Sequence, residues 1–179
     1  MNKLQHHPSS FNQFFFRQLI IIAFIGCFSF LSATAQNKIQ LVGHWQLQKV
    51  SFKNIVADDS ENNKEQLLNI FKAALYEQLT DEQQSTLEDL EIINSEAKIL
   101  FDKYYLTSLE FKPNSAFYNT SIDSEKSLSG EYLLDKKKLL MEWETADNNI
   151  FKIIKTTANE LVLKDTKLKI IFYYTKTKI

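Results

Sequence analysis

The alternation of apolar and polar residues predicts a long first strand over residues 41–56. Trp45 and Leu47 share one face of this strand, whereas Val50 and Phe52 have the opposite parity. Because side chains alternate between the two faces of a strand, this change of phase indicates a bulge or bend.

Residues 57–104 contain no glycine or proline, and their apolar residues recur at helical spacing. This spacing predicts two amphipathic helices, over about 61–79 and 82–104. Their apolar stripes are formed by Leu67, Phe71, Ala74, Leu75 and Leu79, and by Leu90, Ile93, Ala97, Leu100 and Tyr104. Thr80 and Gln83 have the spacing of a capping box, so we expect the two helices to meet at a sharp corner near Thr80.

From residue 105 the apolar spacing drops to two, and turn sequences interrupt it at short intervals. The turns are Pro113-Asn114, Asp135-Lys136-Lys137, Asp147-Asn148-Asn149, Ala158-Asn159 and Asp165-Thr166. The pattern predicts seven short antiparallel strands joined by hairpins. The first strand raises the number to eight, which is enough to close into a barrel without exposed sheet edges.

The pattern of residue types over residues 1–35 predicts a secretory signal peptide. They include Lys3 and Arg17 but no acidic residue, and residues 19–31 form an apolar run. Ala33-Thr34-Ala35 then supplies the small residues that a signal peptidase recognises. We therefore expect an exported protein, periplasmic or extracellular, whose mature chain begins at Gln36.

An alternative interpretation of the same segment uses Cys27. The sequence Phe24-Ile25-Gly26-Cys27 resembles a lipoprotein box, in which the cysteine takes up lipid and becomes the first mature residue. Because apolar residues continue beyond Cys27, cleavage after Ala35 is favoured. A membrane tether is expected only if Cys27 is lipidated.

Charge and cysteine content narrow the kinds of molecule that the chain is expected to bind and the ways in which its fold is stabilised. Lys3 and Arg17 account for two of the 21 basic residues, which leaves residues 36–179 with a net charge of −3. A domain without a basic excess is not expected to bind nucleic acid. Residues 36–179 also contain no cysteine, so core burial rather than disulfides must stabilise the fold.

Gly43-His44-Trp45 in the first strand is similar to the G-x-W sequence that opens lipocalins, in which the tryptophan plugs the closed end of the barrel. The segments over residues 128–134 and 159–164 resemble small lipocalin-like domains of exported bacterial proteins. The resemblance covers residues 39–56 and 105–177.

The resemblance implies a mainly β fold of the α+β kind. It comprises an eight-stranded antiparallel lipocalin-like barrel in residues 36–179, with a two-helix insertion at about 57–104 between strands 1 and 2. Lipocalins usually set an arginine of the last strand across the tryptophan, but residues 36–179 contain no arginine. Lys167 or Lys169 is therefore expected to take that place as a point charge.

The sequence carries no motif of a common catalytic or metal site. Phosphate-binding loops, GxSxG, HExxH and paired Cys/His ligands are missing from it. His44 follows the parity opposite to Trp45 and is expected to face outwards. The same outward parity is expected for Glu110, Glu131, Glu142 and Glu144. Asp89 and Glu91 lack the loop sequence that calcium binding needs. Taken together, these observations lead us to expect no enzyme activity, metal or cofactor.

Aromatic residues supply the remaining candidates for a site. Trp45, Phe111, Tyr132, Trp143, Phe172 and Tyr174 fall on inward parities of different strands. They form either a packed core or the lining of a pocket for a small apolar or aromatic molecule, oriented by tyrosine hydroxyls. An eight-stranded barrel is wide enough for either arrangement.

The favoured hypothesis is an exported, non-catalytic module that binds a small apolar or aromatic ligand. The alternative is an envelope-structural or protein-interaction domain that uses the helical insertion. An exposed apolar stripe at Leu68, Ile70 or Ile92 favours this alternative. A carboxylate-dependent hydrolase would need two acids in one cleft, which the spacing does not predict.

Overall fold

A computed structural model of the chain describes residues 40–80, 83, 87–121, 127–145 and 148–177. The predicted signal peptide, its cleavage site and Cys27 lie outside these residues. The strands are β1 Gly43–Phe52, β2 Ile55–Asp58, β3 Thr107–Phe111, β4 Ala116–Ser121, β5 Ser127–Asp135, β6 Lys138–Trp143, β7 Asn148–Thr156, β8 Glu160–Asp165 and β9 Ile171–Thr177. The α-helices are α1 Lys64–Tyr76 and α2 Leu87–Tyr104, and a short 3₁₀ helix, Glu61–Asn63, precedes α1.

The strands form one antiparallel sheet in the order β2-β1-β3-β4-β5-β6-β7-β8-β9. β1 also pairs with β9, from His44 opposite Thr177 to Ser51 opposite Ile171. This pairing closes β1 and β3–β9 into an eight-stranded up-and-down barrel, and β2 is an extra strand outside the closed ring. The predicted barrel is confirmed, and its architecture is the one that lipocalins share.

The predicted irregularity in the first strand is a β-bulge. The pairing of β1 with β9 shifts after Leu47, where Gln48 is the additional residue. As a result Leu47 and Val50 are both buried despite their opposite parities. The predicted end of the strand at residue 56 was wrong, because β1 ends at Phe52 and the chain reverses at Lys53, whose φ is 52°.

Contrary to the prediction from the sequence, the two helices do not lie directly after the first strand. β1 turns back directly as β2, and the helices follow β2 rather than strand 1. Lys53-Asn54 forms this turn without glycine or proline, so the sequence offered little to mark the reversal. The insertion is therefore an extra strand followed by two helices.

The amphipathic helices largely bury the predicted faces. The fully or nearly buried side chains are Leu67, Ile70, Phe71 and Ala74 of α1, and Ile93, Ala97, Phe101 and Tyr104 of α2. Ile70 joins the buried face although it lies off the predicted stripe, whereas Leu90 is 38% exposed. At the corner, the Gln83 backbone nitrogen donates to Thr80 Oγ1 at 3.4 Å and the Thr80 nitrogen donates to Gln83 Oε1 at 3.0 Å. The predicted capping box is confirmed.

The antiparallel registers define two ends of the barrel. We call the end where β1 begins and β9 finishes the base, and the opposite end, where β1 runs into β2, the mouth. The end of α2 packs at the mouth, where the Tyr104 ring centroid lies 4.6 Å from that of Phe172, near the start of β9. Within the described residues, no helix combines the length and apolarity that crossing a membrane requires.

Candidate binding site

Trp45 closes the base of the barrel. Its side chain is fully buried, and its indole Nε1 donates a 2.7 Å hydrogen bond to the carbonyl of Leu41, two residues before β1. Lys176 is its direct partner in the pairing of β1 with β9, and Lys176 Nζ lies 5.0 Å from the centroid of the tryptophan ring. The same Nζ donates a 2.7 Å hydrogen bond to the carbonyl of Val42. Lys176 therefore places a cation over the tryptophan that plugs the barrel.

The expectation that Lys167 or Lys169 would take this place was wrong. Both residues lie between β8 and β9, at the mouth. Because β9 runs antiparallel to β1, only the end of β9 reaches the level of Trp45. The sequence did carry a signal, since the inward parity of the last strand continues as far as Lys176.

Gly43 makes the contact at the base sterically feasible. Its φ is +129°, a backbone conformation that residues with a side chain rarely adopt. A Cβ at this position would lie 2.6 Å from Lys176 Cε. The glycine of the G-x-W sequence therefore leaves the space that the lysine side chain crosses.

All the aromatic residues predicted as candidates point into the barrel, and none is more than 4% exposed: Trp45, Phe111, Tyr132, Trp143, Phe172 and Tyr174. They pack against one another and against neighbouring rings. Phe111 meets Tyr132 edge-on at 5.1 Å between centroids, and Phe117 meets Trp143 edge-on at 4.7 Å. The structure thus brings these residues together in the hydrophobic core, and a role as ligand contacts stays a prediction.

The two candidate tyrosines are held in their neutral form. The Tyr132 hydroxyl donates a 2.8 Å hydrogen bond to the carbonyl of Lys112, and burial raises its pKa. Burial raises the pKa of Tyr174 much further, and the nearby Asp59 carboxylate adds to that rise. Both hydroxyls therefore stay protonated at neutral pH.

Polar contacts attach the end of α2 to the mouth, and we call them the mouth latch. Asn149 Oδ1 accepts hydrogen bonds from Lys103 Nζ at 3.1 Å and from Trp143 Nε1 at 2.8 Å. Lys103 Nζ also lies 3.9 Å from the centroid of the Trp143 ring. Asn119 Nδ2 donates a 2.7 Å hydrogen bond to the carbonyl of Lys103. Because the latch joins α2 to three strands, it fixes the helix over the end of the barrel.

A groove of about 550 Å³ lies where the β1–β2 hairpin meets the two helices. Its lining residues are Phe52, Lys53, Ile55, Asn69, Lys72, Ala73, Tyr76, Glu77, Leu90, Ile93 and Asn94. Apolar side chains from all four elements meet in it, and Lys53 forms an ion pair with Glu77 at its edge. We call it the hairpin groove, and its volume falls within the range of small-molecule sites.

Sequence reasoning did not identify the hairpin groove. Its walls depend on the turn at Lys53-Asn54 and on how α1 lies against α2, and hydrophobic periodicity reports neither. The available signal was Tyr76, an aromatic residue off the predicted stripe of α1 that is 37% exposed.

Groups predicted to face outwards do so. His44 Nε2 lies 2.7 Å from Glu110 Oε1, and Lys112 pairs with the same carboxylate. The exposed acids Glu131, Glu142 and Glu144 border a depression of about 360 Å³ on the outer wall. Glu91 is exposed, and the side chain of Asp89 lies outside the described residues. In the described part of the chain, no three His, Cys, Asp or Glu side chains are grouped to hold a metal ion.

Comparison with known proteins gives structural similarity at low sequence identity. The structure is similar to that of a lipocalin-like protein from Bacteroides uniformis, with 11% identity, a TM-score of 0.46, and coverage of 77% of this chain and 99% of that chain. It is also similar to an uncharacterized protein from Bacteroides eggerthii, with 10% identity, a TM-score of 0.47, and coverage of 76% and 99%. No protein-family model and no curated protein matches the sequence. The strand order, the closure through β1 and β9 and the tryptophan at the base are consistent with a lipocalin-like domain.

Proposed function

We propose that this chain is an exported, non-catalytic binding module, and that its ligand is a small apolar or aromatic molecule bound in the hairpin groove. The observation that supports this site is the hairpin groove itself, with a volume of about 550 Å³, in which apolar side chains of the β1–β2 hairpin and of both helices meet. Ligand pockets are mostly apolar and carry a few polar groups that orient the ligand. Here Asn69, Lys72 and Asn94 provide such groups at the groove.

The two tryptophans allow the groove to be distinguished from the barrel interior. Trp45 lies at the base and Trp143 at the mouth latch, and neither lines the groove. A ligand in the groove should therefore leave intrinsic tryptophan fluorescence nearly unchanged. A ligand that enters the barrel should change the surroundings of Trp45 or Trp143, and their emission should shift.

The experiment titrates the exported protein with N-phenyl-1-naphthylamine, a neutral aromatic probe whose fluorescence rises in apolar sites, and with lauric acid as competitor. Ala73→Trp fills the groove and should weaken probe binding at least about tenfold. Ala116→Trp is the matched control, because Ala116 borders the depression on the outer wall instead. Urea unfolding of each variant confirms that loss of binding is not loss of the fold.

Three results would contradict the proposal. If the probe does not bind, the chain is not a binder of this class. If binding survives Ala73→Trp, the groove is not the site. If lauric acid shifts tryptophan emission and Leu139→Ala, which opens space in the buried core, tightens binding, the ligand lies in the barrel.

The alternative function, a protein-interaction domain that uses the helices, is supported by one observation. Ile92 is 54% exposed and Ile99 is 57% exposed, and their seven-residue spacing places them on one side of α2. Ile70 is fully buried and Leu68 is partly buried, so neither contributes an exposed stripe. This alternative predicts that the native protein elutes as a larger complex, which Ile92→Lys combined with Ile99→Lys abolishes without affecting probe binding.

A further inference from the structure

One side of α1 faces the hairpin groove and mixes polar with apolar side chains. Four residues that line the groove recur at helical spacing and therefore lie on this side: Asn69, Lys72, Ala73 and Tyr76. The buried residues of α1 lie on the opposite side of the helix. The polar residues at 69 and 72 are therefore placed towards a ligand in the groove rather than towards the core.

The groove carries one positive charge that no acid balances. Of its three charged lining residues, Lys53 and Glu77 pair with each other, which leaves Lys72. Lys72 is half-buried, and within the described part of the chain no carboxylate forms an ion pair with it. Residues 36–179 as a whole have a net charge of −3. Attraction of an anion to the groove must therefore come from Lys72 itself, not from the overall charge of the domain.

Two amides add hydrogen-bond donors to the same groove. Asn69 precedes Lys72 by one turn of α1, and Asn94 lines the groove from α2. Both side chains are exposed, and neither forms a hydrogen bond with another residue that the structure describes. An ammonium group only donates hydrogen bonds, whereas a carboxylate only accepts them. A carboxylate can therefore satisfy the lysine and an amide at once, while a ligand with an ammonium group would be repelled by Lys72.

We propose that the ligand of the hairpin groove is a monocarboxylate with an apolar body, and that its carboxylate pairs with Lys72. This inference rests on the function proposed above, because it names the head group of a ligand bound in the same groove. The apolar body packs against Ala73 and Tyr76 of α1 and Leu90 of α2. Because Lys72 is only half-buried, water screens the ion pair, and its effect on affinity is moderate.

The test compares three ligands with the same ten-carbon chain, namely decanoate, decan-1-ol and decylammonium. Each displaces N-phenyl-1-naphthylamine from the exported protein at neutral pH, and the displacement gives its dissociation constant. Because the three ligands differ in their own solubility, the informative quantity is how a variant changes the ratio of these constants. Lys72→Gln should weaken decanoate at least about threefold more than it weakens decan-1-ol, since only decanoate loses an ion pair.

A matched control removes the same charge outside the groove. Lys138 is exposed on β6 and does not line the groove, so Lys138→Gln should leave all three dissociation constants unchanged. Added salt should reduce the effect of Lys72→Gln on decanoate, because the ion pair is partly exposed.

Charge reversal at the same position should exchange the preferred head group. Lys72→Glu should weaken decanoate at least about tenfold, because like charges then face each other. The same variant should bind decylammonium at least about threefold more tightly than the unmodified protein does. A change that only disturbed the shape of the groove would weaken all three ligands together.

The results separate failure of this inference from failure of the proposed function. If Lys72→Gln weakens decanoate and decan-1-ol equally, the carboxylate does not pair with Lys72, although probe binding that Ala73→Trp weakens would still support a ligand in the groove. If decanoate binds and Ala73→Trp does not weaken it, the carboxylate site lies elsewhere. A probe that does not bind contradicts the proposed function, and this inference fails with it. Urea unfolding of each variant separates loss of binding from loss of the fold.

Discussion

The glycine, tryptophan and lysine at the base of the barrel are expected to act as one unit, and Gly43→Ala tests this. Alanine at position 43 must adopt a φ of +129°, and its Cβ would lie 2.6 Å from Lys176 Cε. The lysine side chain must then move away. That movement breaks its 2.7 Å hydrogen bond to the Val42 carbonyl and its contact with the Trp45 ring.

The expected loss of stability is the sum of the backbone strain and the lost lysine contacts. The unfavourable backbone conformation costs about 1–3 kcal/mol. Losing the charged hydrogen bond and the cation–π contact of a partly exposed lysine costs about 2 kcal/mol. We therefore expect Gly43→Ala to lower the free energy of unfolding by about 4 kcal/mol and Lys176→Ala by about 2 kcal/mol. In the double variant the lysine contacts can be lost only once, so its total should stay near 4 kcal/mol, a coupling of about 2 kcal/mol.

Urea unfolding followed by far-UV circular dichroism measures the three free energies. With a slope of about 2 kcal/mol per molar urea, Gly43→Ala should lower the midpoint by about 2 M. Lys152→Ala is the matched control, because Lys152 is exposed on β7, and its effect should add to that of Gly43→Ala. If the effects of Gly43→Ala and Lys176→Ala add within about 0.5 kcal/mol, the two residues are independent and the reasoning fails.

Three further outcomes are expected elsewhere in the barrel. The pKa of Tyr174 is raised in the folded chain, so the stability that this residue contributes is complete below the unfolded pKa of about 10 and falls as the pH rises above it. Tyr174→Phe should therefore reduce the slope of the free energy of unfolding against pH by about 1.4 kcal/mol per pH unit between pH 10 and 12, as measured by urea titrations. Asn149→Leu removes the acceptor of Trp143 Nε1 and should cost about 1–3 kcal/mol, with faster amide exchange in the last turn of α2; unchanged exchange would argue against the mouth latch. Gly130→Ala places a Cβ 2.1 Å from the Glu142 carbonyl oxygen and should destabilise by at least about 2 kcal/mol, and a thermal midpoint within about 2 °C of the unmodified protein would contradict that clash.

The sequence by itself determined the hairpin strands after residue 105, the bulge in β1, most of the buried helical faces and the inward set of aromatic residues. Each of these depends on side-chain period or on residues close together in the chain. For example, the two-residue period of β9 predicts that Phe172 and Tyr174 are buried, as they are, and it places Lys176 on the same face. The capping box of Thr80 and Gln83 is likewise present, as the spacing of the two residues predicts.

Only the tertiary structure decided which distant residues meet. The turn at Lys53-Asn54, without glycine or proline, created β2 and moved the helices after it, and the hairpin groove exists because of that turn. The register of β1 with β9 brought Lys176, rather than Lys167 or Lys169, to Trp45. The first outcome depends on a local turn that no glycine or proline marks, and the second on pairing between segments far apart in the chain. Periodicity records only the face on which a side chain lies.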